Sequence, residues 1–432
     1  MTTSRPDRLD PIHRAIALLM LWPILPAASG QDDLGPLPSE PRFEAILIEG
    51  PSVTGRVHSL SPDGGAILVE EDGDERVIGP GALFKLSRES WPPREDRPDA
   101  SVLVFPGFEQ LRGLIDSADE RTILVRSPIL GELQVPLDTV LGFTAGPSTA
   151  PDTEDQTISI LRAEPRTSDL LLLENGDRRG ITFSAMTDEV SYLDADRALK
   201  LPRRTVRAVG LDPGMVRLPE VISPSLDLLL TDGSRLRLLG ATVSGGRLSG
   251  RTTFGPEVEL GLNDVSECYI LGGSISFLSD LEATREVTIP YVGPVRSVVP
   301  NGSVLGGPLS VGGRRYSRGL GTQSRSLLAY RLGPDALRFQ AMVAMDDEAG
   351  PRGNVVFRVL VDGEERFASP PMTVGADPIP IDVDLAGGQF LILATEFGQG
   401  GGIRDYANWI EARLVLGRSS MDEDPELPGA GN

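Results

Sequence analysis

Leu337-Arg338-Phe339-Gln340-Ala341-Met342-Val343-Ala344-Met345 and Val355-Val356-Phe357-Arg358-Val359-Leu360-Val361 are runs in which apolar side chains return at every second position, and Asp362-Gly363 follows the second. A period of two puts Leu337, Phe339, Ala341, Val343 and Met345 on one face of a strand, and Val355, Phe357, Val359 and Val361 on one face of the next. Asp-Gly supplies the positive φ of a hairpin turn. Two more runs, Ile379, Ile381, Val383 and Leu385, then Phe390, Ile392 and Ala394, stand on either side of Gly387-Gly388. Four alternating runs separated by glycine turns predict an antiparallel β-sandwich over residues 275–418.

Upstream the chain repeats itself. Short Pro- or Gly-led segments ending on a β-branched or aromatic residue recur about every 60 residues: Gly79-Pro80-Gly81-Ala82-Leu83-Phe84, Val135-Pro136-Leu137-Asp138-Thr139-Val140, Leu201-Pro202-Arg203-Arg204-Thr205-Val206 and Leu260-Gly261-Leu262-Asn263-Asp264-Val265. Strand-like runs precede them, with turns such as Asn175-Gly176-Asp177 and Asp232-Gly233-Ser234. The predicted fold class is therefore all-β: four small β-sheet or barrel repeats at 41–90, 100–145, 165–212 and 224–272, arranged in sequence, followed by the sandwich. The units resemble small Sm-like or SH3-like barrels. They would serve either as a stacked stalk or as peptide or glycan contacts. Pro-rich stretches, Trp91 to Pro98 and Gly146 to Pro151, read as spacers.

Composition narrows the function. The 432 residues carry a formal net charge of −21, with 49 Gly and 36 Pro. An acidic surface repels phosphate backbones, which points away from nucleic acid. Residues 1–30 read as a signal peptide: Arg5, Arg8 and Arg14, an apolar run from Ile16 to Leu25, then Ala27, Ala28, Ser29 and Gly30. That run is too short to cross a bilayer. An exported protein, periplasmic, cell-surface or extracellular, with no membrane span after signal cleavage is the expectation. The lone Cys268 cannot form an intramolecular disulfide and reads as a buried small hydrophobe. The acidic tail, 419–432, reads as disordered.

Four blocks of the C-terminal part carry a resemblance. They are Gly319-Leu320-Gly321-Thr322-Gln323-Ser324, Met345-Asp346-Asp347-Glu348, Gly353-Asn354-Val355-Val356-Phe357-Arg358-Val359 with Val361-Asp362-Gly363, and Asp405-Tyr406-Ala407-Asn408-Trp409-Ile410-Glu411-Ala412-Arg413-Leu414. In this order they make residues 277–417 resemble the NPCBM family of carbohydrate-binding modules. The resemblance implies a galactose-binding-like jelly roll, usually joined to glycosidases or to other secreted proteins. This chain departs from the family where Gln323 and Tyr406 replace the usual His residues and Asn408 replaces a usual Asp.

Sugar recognition takes an aromatic face for the C–H surface and planar amides or carboxylates for the hydroxyls. Trp409, Asp405, Asn408, Gln323 and Glu396 are the candidate set; the alternative has Trp409 filling the core and Asp405 capping a turn. Asp346, Asp347 and Glu348 offer hard oxygens to calcium or else form an exposed acidic turn. Asp382 and Asp384 share a strand face and read as solvated. After signal cleavage His58 is the one remaining His, so triads and multi-His zinc sites lack parts. No catalytic residue, metal or cofactor is expected. The expected function is non-catalytic binding of a polysaccharide or glycoconjugate; the alternative is a structural or protein-interaction component of the cell envelope, with envelope proteins as partners.

Overall fold

The computed structural model describes residues 40–90, 100–146, 151–163, 166–218, 224–291, 293–399 and 401–417. The N-terminal stretch read as a signal peptide, the stretch Trp91 to Pro98, most of the stretch read as the second spacer and the acidic tail lie outside the described residues.

Among the described residues five strands fall in each upstream segment. They are β1 (Arg42–Leu47), β2 (Val53–Leu60), β3 (Ala66–Val69), β4 (Glu75–Ile78) and β5 (Leu83–Arg88); β6 (Ser101–Val104), β7 (Gln110–Ala118), β8 (Thr122–Ser127), β9 (Gly131–Pro136) and β10 (Gly142–Thr144). The third and fourth segments hold β11 (Asp169–Leu173), β12 (Arg178–Met186), β13 (Glu189–Asp194), β14 (Arg197–Pro202) and β15 (Val206–Gly210); β16 (Ser225–Leu230), β17 (Arg235–Ser244), β18 (Arg247–Thr252), β19 (Glu257–Gly261) and β20 (Val265–Leu271). In the first segment β1 pairs with both β2 and β5, and β2, β3 and β4 form a meander. The second strand coils back through a register shift, at Val57/Ser59 in β2 and Ile115/Ser117 in β7. Glycine allows that coil: a Cβ on Gly55 would stand 2.7 Å from the Val69 carbonyl oxygen. The recurring Pro/Gly-led landmark becomes a single 3₁₀ turn between fourth and fifth strands, Leu137–Thr139, Arg203–Thr205 and Leu262–Asp264 in the last three segments.

The segments are not laid out in order. β5 pairs with β20, and β10 pairs with β15, so the first segment joins the fourth and the second joins the third, each time fifth strand to fifth strand. Second strands touch as well, β2 with β17 and β7 with β12. Each edge that a fifth strand would leave open is covered by its partner segment, which answers the hazard of unpaired strand edges. A helix, α1 (Pro151–Ala163), interrupts the all-β pattern next to the second spacer. Ile158 and Leu161, three apart on one face, pack on Val102, Val104, Leu172 and Ala208.

The C-terminal part is a two-sheet sandwich. One sheet contains β21 (Ile275–Phe277), β23 (Val299–Pro300), β26 (Gly319–Gln323), β28 (Ala336–Met345), β31 (Ile379–Asp384) and β33 (Tyr406–Leu416). The other runs β22 (Arg285–Thr288), β27 (Ser326–Arg331), β32 (Phe390–Phe397), β29 (Val355–Val361) and β30 (Glu364–Ala368). Phe339, Val343, Phe357, Val359, Leu393 and Trp409 lie in the core between them. A hairpin, β24 (Leu309–Val311) and β25 (Arg314–Tyr316), lies over the outer face of the first sheet. Two expected core faces shift. Phe390 is exposed and Leu391 and Leu393 point inward; Leu337 is exposed beside a register shift at Ala336/Arg338.

The sandwich is tied to the first and fourth segments by buried charge. Lys85 on β5 meets Glu267 of β20 at 2.8 Å and Glu411 of β33 at 2.7 Å, all three nearly solvent-free. The Tyr269 hydroxyl donates to Glu411 at 2.9 Å, and Arg413 lies over the Phe84 ring. Burial alone would lower the Lys85 pKa, but the surrounding Tyr269, Glu411 and Glu267 outweigh it and hold the ammonium well above its ordinary value. Cys268 lies beside this network, buried, with its thiol pushed up by burial.

Candidate functional site

The structure divides the five candidate residues. Trp409 is wholly buried: its Nε1 donates to the Thr395 hydroxyl at 3.1 Å, and its ring meets Phe357 edge-on at 5.1 Å. It has no face for a sugar, because β33 alternates and Ala407 and Trp409 fall on the inner side. Asn408 points the opposite way, under the hairpin, where its Nδ2 donates to Asp346 at 2.8 Å. Glu396 is held by Arg325 at 3.0 Å.

Asp405 and Gln323 do come together. The Asp405 carboxylate accepts from the Ser324 hydroxyl at 2.5 Å and from the Asn354 backbone at 2.9 Å, so it ties two loops to the start of β33. Burial pushes its pKa up, against those two hydrogen bonds. Gln323 ends β26 and reaches toward the Pro294 carbonyl at 3.5 Å. Both border a cavity of about 240 Å³ whose remaining walls include Tyr291, Arg296, Arg404 and Tyr406.

Tyr291 gives this cavity its aromatic face. It is 68% exposed, its ring stands edge-on to Phe397 at 5.8 Å, and it rests on Gly401 and Gly402. A Cβ on Gly402 would stand 3.0 Å from both Tyr291 and Phe397, so the close seat of the ring depends on that glycine. Tyr291, Arg296 and Arg404 are absent from the candidate set that the sequence suggests. The available signal was an aromatic between Pro290 and Gly293-Pro294, a loop composition in which a ring has no strand face to fill.

The acidic trio is neither an exposed turn nor gathered around one point. Asp347 accepts from the Gly312 and Gly313 backbone at 2.7 and 2.9 Å and from the Ser310 hydroxyl at 2.8 Å. Asp346, buried, accepts from Asn408 and from the Glu348 backbone. Their oxygens pin the β24–β25 hairpin. Among the described residues no group of three His, Cys, Asp or Glu is set to hold a metal. Asp382 is exposed and bonded to Arg338 at 2.6 Å, in keeping with a solvated face.

A two-sheet β fold with the four sequence blocks on its central strands and loops is the setting in which a family match has meaning. Residues 275–415 match the NPCBM/NEW2 domain. A Renibacterium salmoninarum protein named "Putative endo-alpha-N-acetylgalactosaminidase" is 32% identical over 126 residues, which is 28% of this chain and 8% of that protein. The chain thus spans a small part of the curated relative it matches. Among solved structures, the CBM51 module of a Clostridium perfringens GH95 protein in complex with methyl-galactose is 26% identical, covering 33% of this chain and 99% of that one, with a TM-score of 0.30. The CBM51-2 and INT domains of Clostridium perfringens ZmpB are 21% identical, covering 39% and 36%, with a TM-score of 0.31. The matched region begins at β21, which pairs with β33 at the edge of the first sheet, and its Ile275 and Phe277 pack against Phe84, Tyr269 and Leu271 of the upstream segments.

Proposed function

We propose that this protein is an exported, non-catalytic binder of a polysaccharide or glycoconjugate, and that its NPCBM domain takes one sugar residue in the cavity beside Tyr291. The observation that carries this is the pairing of an exposed aromatic ring with Gln323, Arg296 and Arg404 around about 240 Å³. That volume is below the roughly 300–1,000 Å³ of drug-sized sites and suits a single ring. The Tyr291 face would take the apolar side of the sugar, while the amide and guanidinium donors would take its hydroxyls. Asp405 belongs to the wall as a positioning residue, since both its oxygens are already engaged. The relative named for endo-alpha-N-acetylgalactosaminidase activity favours a glycan as the ligand class.

A glycan array with the full chain, followed by calorimetry on the best ligand, tests this. Tyr291→Ala should abolish binding and leave the melting temperature unchanged. Binding that survives Tyr291→Ala would refute the assignment. A second reading, a structural or protein-interaction part of the cell envelope, draws on the buried Lys85, Glu267 and Glu411 joint, which makes the sandwich an integral part of the upstream fold. An array without any bound glycan would favour that reading.

A further inference from the structure

We propose that the groove of about 1240 Å³ between the upstream sheets and the sandwich binds an acidic oligosaccharide, whose carboxylate or sulfate groups are held by Arg88, Arg162, Arg235 and Arg315. None of the residues lining it belongs to the Tyr291 cavity, so the two sites are separate.

Charge is the first argument. The chain as a whole carries −21, yet six arginines line this one groove. Two of them are already engaged, Arg112 with Glu154 on α1 and Arg314 with Glu267 at 3.3 Å. Among the described residues the other four have no carboxylate at ion-pair distance; Arg88 donates instead to the Asn263 carbonyl at 2.7 Å. The acidic residues on the walls are Glu44, Glu89 and Asp155, and Glu89 is drawn off to Arg42 at 3.1 Å.

The floor is the second argument. Arg162 and Arg235 are close enough to repel: burial, and after it the Arg235 charge, lowers the Arg162 pKa to about 9 against the opposing pull of Asp155. Arg162 spends one terminal nitrogen on the Phe108 and Glu109 carbonyls and the Gln110 side chain, and its other terminal nitrogen has no hydrogen-bond partner among the described residues. Among the described residues Arg235 has a single long hydrogen bond, 3.4 Å to the Ser317 carbonyl; burial lowers its pKa against the pull of the Asp227 and Glu267 charges, which reach it without an ion-pair contact. Two like charges with unused donors form a receptor for a planar or tetrahedral anion, which guanidinium groups bind through paired hydrogen bonds.

Shape selects the rest of the ligand. The volume exceeds the roughly 1,000 Å³ upper range of single small-molecule pockets and suits several sugar rings. Phe108, with Arg162 5.3 Å from its ring centre, offers an aromatic face, and Pro300 and Pro308 add apolar wall. Gly306 and Gly307 on the rim let a chain of rings approach the backbone. A long polyanion would meet the acidic exterior, whereas a short acidic oligosaccharide meets only the groove.

Titration calorimetry on the full chain with tetragalacturonate, a heparin-derived tetrasaccharide and neutral galactotetraose tests the proposal. At least one acidic ligand should bind one to one, and its affinity should fall as salt is raised. Carboxylate and sulfate arms tell the two groups apart. Arg235→Gln and Arg315→Gln should each weaken binding about tenfold, and Tyr291→Ala should leave it unchanged. Arg315 is exposed, so its variant keeps the fold even if Arg235→Gln does not. Equal binding of the neutral tetraose, no binding of either acidic one, or wild-type affinity in a folded Arg315→Gln would overturn the proposal without touching the Tyr291 site.

Discussion

Glu109 is a carboxylic acid in the interior, accepting from the Arg237 backbone and from the Thr253 hydroxyl, both at 2.7 Å. Burial raises its pKa from 4.5 to about 7. The folded state therefore holds this proton more tightly than the unfolded one, and the group's contribution to stability falls as pH rises from about 4.5 to 7. Glu109→Gln keeps the shape, and its amide can donate to Thr253. The variant should be more stable than the parent at pH 8 by up to about 3 kcal/mol, and the difference should vanish near pH 4; parallel melts at both pH values would show it. Trp409 stands at the other extreme. Its ring fills the space between Phe339 and Phe357, so Trp409→Ala should cost roughly 3–5 kcal/mol in a denaturant melt. The alternation of β33 makes a core role for Trp409 legible in the sequence, because Ala407 shares its parity. Tyr291 is not legible in that way: a loop has no period, and its exposure depends on how Phe397 and Gly402 seat it.

At the scale of elements, period-two patterns tell strands from loops but not always one face from the other. In Phe390-Leu391-Ile392-Leu393 every residue is apolar, so parity carries no information, and pairing with β27 and β29 decides that Leu391 and Leu393 go inward. α1 is hard to read because its inward stripe is short and its start is Pro- and Thr-containing, like a spacer. The joint between β5, β20 and β33 is equally hidden, since Lys85, Glu267 and Glu411 lie far apart in sequence and each reads alone as a surface charge. Removing the cation while both carboxylates stay buried is the costly change, about 3–5 kcal/mol. Lys85→Met should therefore lower the melting temperature sharply. Adding Glu267→Leu and Glu411→Leu should recover much of the loss, because the desolvated charges leave with their partner; a triple variant as unstable as the single one would show that the joint depends on the ions themselves.

At the scale of the whole molecule, the repeating landmarks reveal that similar pieces follow one another but not which piece touches which. Edge chemistry settles that, because a fifth strand needs a neighbour and finds it in the segment that the chain places opposite. The consequence is a nested order in which the first and fourth segments form one pair beside the sandwich and the second and third form another. Two deletions separate this order from a string of independent beads. Removing 224–272 takes away β20, so β5 loses its edge partner, Lys85 loses Glu267, and the sandwich loses the Tyr269 contact to Glu411. Replacing 91–223 with a flexible linker removes a whole pair and leaves β5, β20 and the Lys85 joint in place, although Phe254 loses its stack on Phe105. The second deletion, though much larger, should keep a cooperative melt and the blue-shifted emission of buried Trp409. The first should aggregate or melt broadly. In the larger deletion the Tyr291 cavity should still bind its sugar while acidic oligosaccharide binding disappears with Phe108 and Arg162. If the smaller deletion melts as cooperatively as the intact chain, strand pairing between segments does not hold the molecule together and the nested order has no energetic weight.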